Sequence, residues 1–453
     1  LVSGSAQAGG ERSGKHDQVG RGEHGQFGPG EPEPIGDQPE IRRSAERARL
    51  EPPSWAPRME QQPTGPLTGF RVVDVTHAAA GPYATLMLAD LGADVIKVEP
   101  PSGELIRFFG PYHPDDKERV YGARFAYRNR NKRSITLDFN DDDDRETFLQ
   151  LVESADGLVE NMRAGVLDRL GVGWDACSAR NPRLVYAAIR GFGDPRTGVS
   201  PYVDWPAFDP IAQAMGGFIS NNGPDEDHPM RAGPIIGDLV PGLHAALGLV
   251  AALVSAQRTG QGQFVDVAMV DALMALCESA HAMWVYGGQR HERTGNRMDA
   301  VAPAGVYQTA DGYCAIVAMT DPQWQALCTF MNRSDLAENP RLRSVLGRIA
   351  DREWVDGQVR DWAKSQETAN VLALLGGTVP VGPVHDASDW ADEPHVAARS
   401  MLVSVDHQQH GPTPQLGCPI KFTGTPANVY RRPPVLGEHA AEIRTELQQR
   451  KRG

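Results

Sequence analysis

The chain lacks every cysteine spacing that builds a metal centre or a redox pair. Its five cysteines, Cys177, Cys277, Cys314, Cys328 and Cys418, are scattered, with no CxxC and no Cys/His cluster. Such a set suits reduced thiols that fill the core of a cytoplasmic protein. Excess positive charge is also missing: 45 Lys and Arg stand against 58 Asp and Glu, for a net charge of -13. An acidic surface repels the phosphates of nucleic acid and of anionic membranes, so neither is an expected partner. The best candidate for a membrane span, 243–256 (LHAALGLVAALVSA), is too short and carries His244, so it reads as a buried helix. The N-terminus shows no basic-then-apolar order of a signal peptide. Walker A, HExxH and GxSxG are all absent.

Residues 1–58 have little aliphatic clustering and are rich in Gly, Pro, Glu, Arg and Ser. They bury too little apolar surface to offset their ordering entropy, which predicts a disordered extension. Met59 is the first methionine, and we expect it to be the natural start.

What is present begins at Phe70. Residues 71–75 (RVVDV) read as a buried strand, 82–91 as a helix with Pro82 in its first turn, and 93–99 as a second strand. This βαβ unit favours a parallel sheet, and the alternation continues with strands at 134–139, 155–160 and 184–189 and a helix at 144–154. The expected fold is therefore α/β, with a doubly wound, Rossmann-like large domain. A helix over 241–255, a strand over 264–267 and a helix to about residue 286 follow. A large domain over 59–286, a polar linker at 287–300 and a smaller α/β domain over 301–390 are expected. Residues 391–453 then form a return linker and the C-terminal part of the large domain. Pro380 to Pro383 reads as a turn. The first β–α turn, Thr76 to Pro82, has one glycine, so close backbone approach to a dinucleotide pyrophosphate is not supported, although Glu99 stands where a ribose-binding acid would.

Six ordered segments carry a resemblance: 66–99 (PLTGFRVVDVTHAAAGPYATLMLADLGADVIKVE), 129–139 (NRNKRSITLDF), 159–174 (VENMRAGVLDRLGVGW), 233–253 (GPIIGDLVPGLHAALGLVAAL), 258–272 (RTGQGQFVDVAMVDA) and 436–439 (LGEH). Together they resemble the family III CoA-transferases, which include formyl-CoA and carnitine CoA-transferases and have acyl-CoA racemases as relatives. The likeness spans residues 66–442. It implies CoA transfer from an acyl-CoA to a carboxylic acid, in a homodimer of chains threaded through each other. No metal and no tightly bound cofactor is implied, with the CoA thioester as substrate.

The resemblance places the nucleophile at Asp238, in Ile236-Gly-Asp-Leu-Val-Pro-Gly242. A carboxylate there attacks the thioester, and an aspartyl-CoA thioester follows. Read without the resemblance, an Asp directly before a long apolar helix is an N-cap. A helix N-terminus also favours an ionised carboxylate and developing negative charge. Contacts to CoA are carried over to His77, Asn161 and Arg169, with Lys132 and Arg107 as weaker phosphate candidates. The plain alternatives are a loop histidine, a turn asparagine and solvated cations.

The chain departs from the family pattern at three places. Ala79 stands where formyl-CoA transferase has Gln, which argues against the oxalate/formate pair. Phe208 replaces a Tyr and Pro206 a Lys, which implies a more apolar acyl pocket. A glycine-rich lid is not evident. The racemase alternative, which exchanges an α-proton, needs a histidine where this chain reads Pro206-Ala-Phe-Asp209. A non-catalytic CoA-binding protein is the other alternative.

Overall fold

A computed structural model describes residues 50–60 and 62–452. Most of the expected disordered extension, residues 1–49, lies outside the described residues. Residues 50–58 of that expected extension are among the described residues. Trp55 donates its indole N–H to Ala391 O at 3.2 Å, and Arg58 bridges to Ser404, so this segment is held by the C-terminal part of the chain.

Six parallel strands form the central sheet: β1 (Arg71–Val75), β2 (Asp94–Glu99), β3 (Lys132–Thr136), β4 (Gly157–Glu160), β5 (Val185–Arg190) and β6 (Gln263–Ala268), in the order β3-β2-β1-β4-β5-β6. The helices are α1 (Ala80–Asp90), α2 (Ala123–Asn129), α3 (Asp142–Glu153), α4 (Val166–Arg169), α5 (Trp174–Arg180), α6 (Asp209–Met215), α7 (Phe218–Asn221), α8 (Ile236–Thr259), α9 (Met269–Leu276) and α10 (Glu278–Gly287). Alternate strand residues feed two cores. Val72, Val95, Val159 and Val185 pack on one face under α1 and α8. Val73, Ile96, Leu158 and Tyr186 pack on the other with Phe148, Leu151 and Cys177. Apolar residues on both faces of a strand are what a parallel sheet covered by helices on both sides requires.

The strand order reverses direction between β1 and β4, which opens a crevice at the carboxyl edge of the sheet. The chain's end returns to the opposite edge. His439 N–H donates to Ser134 O at 2.9 Å and its Nδ1 accepts from Ser134 N–H at 3.1 Å, so LGEH is stitched to β3. The C-terminal helix Ala440–Arg452 adds Glu442 and Glu446, which pair with Arg133 at 2.9 and 2.6 Å.

Two boundaries differ from expectation. The helix expected at 241–255 runs from Ile236 to Thr259 despite Pro241, which removes one backbone bond to Gly237 O. Its 24 residues have the length and apolarity of a membrane span. However, Ala245, Leu249, Ala252, Leu253 and Ala256 are buried in the core shared with α1 and the sheet. The expected turn at Pro380 to Pro383 contains a strand, β9 (Val381–Pro383), because a partner exists for it. It completes an antiparallel sheet with β7 (Ala304–Gln308) and β8 (Tyr313–Val317). That sheet has its own core, built around Trp324, Leu327, Val355 and Val359.

Leu249 is fully buried, and its methyls lie 3.2 Å from the point where a side chain on Gly157 would begin. Leu249→Ala is expected to cost about 2–5 kcal/mol in urea unfolding, since the rigid sheet beneath cannot collapse into the cavity.

Candidate active site

The loop from β1 to α1 is fixed residue by residue from below. Asp74, buried at the end of β1, accepts from Thr76 N–H at 2.9 Å and Thr76 Oγ1 at 2.5 Å. Lys97 Nζ donates to Thr76 O at 2.8 Å and pairs with Glu104 Oε1 at 2.8 Å. Asn161, just beyond β4, clasps the next residue: His77 N–H donates to its Oδ1 and its Nδ2 donates to His77 O, both at 2.8 Å. Ala78 has a left-handed φ of 65°, and its N–H donates to Glu104 Oε2 at 2.7 Å. A conformation strained for alanine persists here because its neighbours over-determine it. Gly81 follows because a Cβ there would stand 2.3 Å from Thr76 Cβ.

The predicted site residues divide into two groups. His77 and Asn161 lie side by side at the switch point between β1 and β4. Asn161 spends its carbonyl oxygen and one N–H on His77's main chain, so its demonstrated work is to shape the loop. His77 is half-buried. Burial, and then the nearby Lys97 charge, hold its imidazole below the ordinary value, so it is neutral at pH 7. Arg169 ends α4, exposed, with its guanidinium beside Gly165 and in no ion pair among the described residues.

Lys132 and Arg107, the weaker phosphate candidates, are both buried and bonded to protein groups. Lys132 is fully buried and donates to Asp74 Oδ2, Pro82 O, Thr85 Oγ1 and Asn129 Oδ1 at 2.8–3.0 Å. Arg107 forms a fork on Glu99 at 2.6 Å and donates to Pro434 O at 3.0 Å. Glu99, at the ribose-acid position, is thereby consumed. A phosphate-binding lysine and a lysine neutralising a buried carboxylate look alike in sequence; only the partners distinguish them.

Asp238 sits in the first turn of α8, at the carboxyl edge of the sheet. It is not the N-cap, which is Ile235, and its side chain caps nothing. The expected free amides are already used. Ile236 N–H donates to Pro234 O, Gly237 N–H to Asp209 Oδ1, and Asp238 and Leu239 N–H to Ile235 O, at 2.8–3.0 Å. What helix α8 gives Asp238 is its dipole rather than donors. The half-buried carboxyl is pushed up to about 6, first by burial and then by the Asp209 charge, while the Arg128 guanidinium of α2 pulls it down. Gly242 brings the same helix against α1, since a Cβ there would meet Ala80 O at 2.6 Å. The two helices that begin at this edge are thus packed together, with His77 and Asp238 in the loop and first turn that lead into them.

Arg128 and Asp209 escaped the sequence reading. Arg128 lies one residue before the recognised 129–139 segment. Asp209 was noted only for the histidine that does not precede it. Its signal was the Asp-Pro helix start with Gln213 four residues on, a pair joined at 2.7 Å in the structure. Phe208 is exposed, as are Trp205 and Tyr202, whose rings lie 4.7 Å apart.

Fold and site together define a parallel α/β protein with a half-buried carboxyl, Asp238, in the first turn of α8. The model of CoA-transferase family III matches residues 67–440. Succinyl-CoA:mesaconate CoA-transferase of Haloarcula hispanica is 43% identical over 385 residues, 84% of this chain and 96% of the relative. Acetyl-CoA:oxalate CoA-transferase of Acetobacter aceti is 37% identical, covering 85% of this chain and 97% of that one. A solved CaiB/BaiF family protein from Brucella suis superposes with a TM-score of 0.76 at 33% identity, over 85% of this chain and all of that one. The chain belongs to CoA-transferase family III, and it is an enzyme of that class.

Replacing Lys132 by Met strands the buried Asp74 carboxylate and is expected to cost about 3–5 kcal/mol. Arg169→Ala is expected to stay within about 0.5 kcal/mol, as for an unpaired surface side chain. Denaturant midpoints of the two variants check both statements.

Proposed function

We propose that the enzyme transfers CoA from an acyl-CoA thioester to a carboxylic acid through an aspartyl-CoA thioester on Asp238. The observation that carries this reading is the Asp238 carboxyl itself, half-buried in the first turn of α8 at the crevice edge and raised to about 6. At pH 7 such a group is mostly ionised yet more basic than a solvated carboxylate, which suits a nucleophile. The Asp238 carboxylate attacks the thioester carbonyl and expels CoA thiolate, leaving a mixed anhydride. The thiolate attacks the aspartyl carbonyl of the anhydride, releases the donor's carboxylate and forms the aspartyl-CoA thioester. The acceptor carboxylate attacks that thioester, and the same two steps in reverse yield the new acyl-CoA and free Asp238. Each bond formed replaces one broken, and no oxidant or metal enters the balance.

Arg169, exposed and in no ion pair among the described residues, is the residue we assign to a CoA phosphate. His77, neutral, is assigned to the thioester end by its place beside the switch point. The names of the relatives make succinyl-CoA the first donor to test and mesaconate the first acceptor. The five unpaired thiols suit a reducing, cytoplasmic setting. Residues 301–390 are taken as the smaller domain, because their sheet has a separate core.

The enzyme is further proposed to work as a homodimer. Helix α8 keeps Leu243, Leu247 and Val254 exposed, and Met274, Trp284 and Tyr286 of α9 and α10 are exposed as well, apolar area that a monomer would leave in water. Light scattering is expected to give twice the chain mass.

The central test is intact and peptide mass after incubation with succinyl-CoA and acid quench. A gain of CoA less water on the Asp238 peptide, absent in Asp238→Asn, is expected. The adduct rate should rise with pH through about 6 and level off above 7, because the deprotonated carboxyl is the reactive form. No adduct, with deuterium uptake into a 2-substituted acyl-CoA in heavy water, would transfer the enzyme to the racemase branch.

A further inference from the structure

Helix α8 has no cap of its own, and a distant residue supplies one. The N-cap position is Ile235, which has no side-chain acceptor. The Gly237 N–H is instead bonded at 2.8 Å by Asp209 Oδ1, 28 residues earlier in the chain. The same oxygen accepts from Gln213 Nε2 at 2.7 Å, and Gln213 Oε1 accepts from Ala232 N–H at 2.8 Å. The first turn of α8 and the loop before it are therefore each tied to α6, at Gly237 and Ala232. Contact is close enough to demand glycine: a Cβ on Gly237 would stand 2.4 Å from Asp209 O.

The other carboxylate oxygen of Asp209 is the unexplained feature. The residue is only 3% exposed, yet Oδ2 has no hydrogen-bond partner among the described residues. A buried carboxylate oxygen without a donor is costly, and a purely structural cap would do as well with Asn. The residue next to the capped glycine is Asp238.

We propose that Asp209 is a positioning residue for the reaction: one oxygen pins the backbone that carries Asp238, and the other, left without a donor, sets a negative charge beside the nucleophile. This deepens the aspartyl-CoA reading and rests on it. The charged groups that face Asp238 are Asp209 of α6 and Arg128 of α2, and Arg128 is itself acted on by Arg124 and Glu104. Asp209 disfavours a second negative charge nearby and so keeps the Asp238 oxygen basic, while Arg128 limits the effect. A more basic carboxylate is the better nucleophile, and a pinned backbone holds it at the attack distance.

Two variants separate the functions. Asp209→Asn keeps an oxygen to accept from Gly237 and Gln213 but removes the charge; Asp209→Ala removes both. The first readout is direct titration of Asp238 in the resting enzyme by carboxyl 13C NMR with labelled aspartate, assigned by its loss in Asp238→Asn. The Asp238 midpoint is expected to fall by about one pH unit in Asp209→Asn. An unchanged or higher midpoint overturns the proposal. This readout needs no acyl-CoA, so it fails independently of the aspartyl-CoA reading, which the adduct mass of the unaltered enzyme decides alone. The second readout is turnover. Asp209→Ala is expected to lose about 100-fold in kcat with KM changed little, and Asp209→Asn to recover much of it. Equal kcat in Asp209→Ala and the parent enzyme overturns the positioning half. If Asp209→Ala does not fold, the Asp209→Asn titration and kcat still decide.

Discussion

The carboxylate of Asp74 is the fixed point from which the crevice is built. It lies buried at the end of the central strand, where desolvation alone would favour its neutral form. Lys132 and Lys97 outweigh that burial and hold it well below the usual carboxylate range. Lys132 in turn is drawn down to about 8 by burial, against the Asp74 charge, and its donors reach α1 and α2 as well as β1. One ion pair thus fastens two strands, β1 and β3, to two helix ends. Removing one member leaves a buried charge, which is why the whole edge depends on it.

Above this layer the chain assigns each backbone group of the β1–α1 loop to a side chain from elsewhere. Thr76 answers to Asp74 and Lys97, His77 to Asn161, and Ala78 to Glu104. The first turn of α8 is treated the same way by Asp209. Loops at the carboxyl edge of an open sheet are otherwise its most mobile parts. The covalent mechanism we propose needs the carboxylate at a defined distance from the thioester, and a rigid loop suits that need. Cations that a reader of the sequence would send to the CoA phosphates, Lys132 and Arg107, are used up beneath the site, while Arg169 stays exposed.

The parallel sheet was legible because its strands are apolar on both faces and its helices carry turn signals at their ends. Strand β1 and helix α1 fall within two residues of expectation. The start of α8 was not legible: Gly237, Pro241 and Gly242 look like a turn when read locally. Packing decides otherwise, because the glycines are where α8 meets Asp209 and α1, and the proline costs one bond in a long helix. Strand β9 was missed for a similar reason, since three residues with two prolines nearby become a strand only when β8 is there to pair with them.

By itself the sequence determined the parallel α/β class and the family segments, and pointed to Asp238, because apolar periodicity and contiguous motifs are local properties. Tertiary structure alone decided which charges are free. Lys132 meets Asp74 across 58 positions and Asp209 reaches Gly237 across 28. Whether a charged side chain serves a ligand or a buried partner depends on what lies within about 3 Å of it. That distance is set by the folding together of remote segments, and no local pattern of residues contains it.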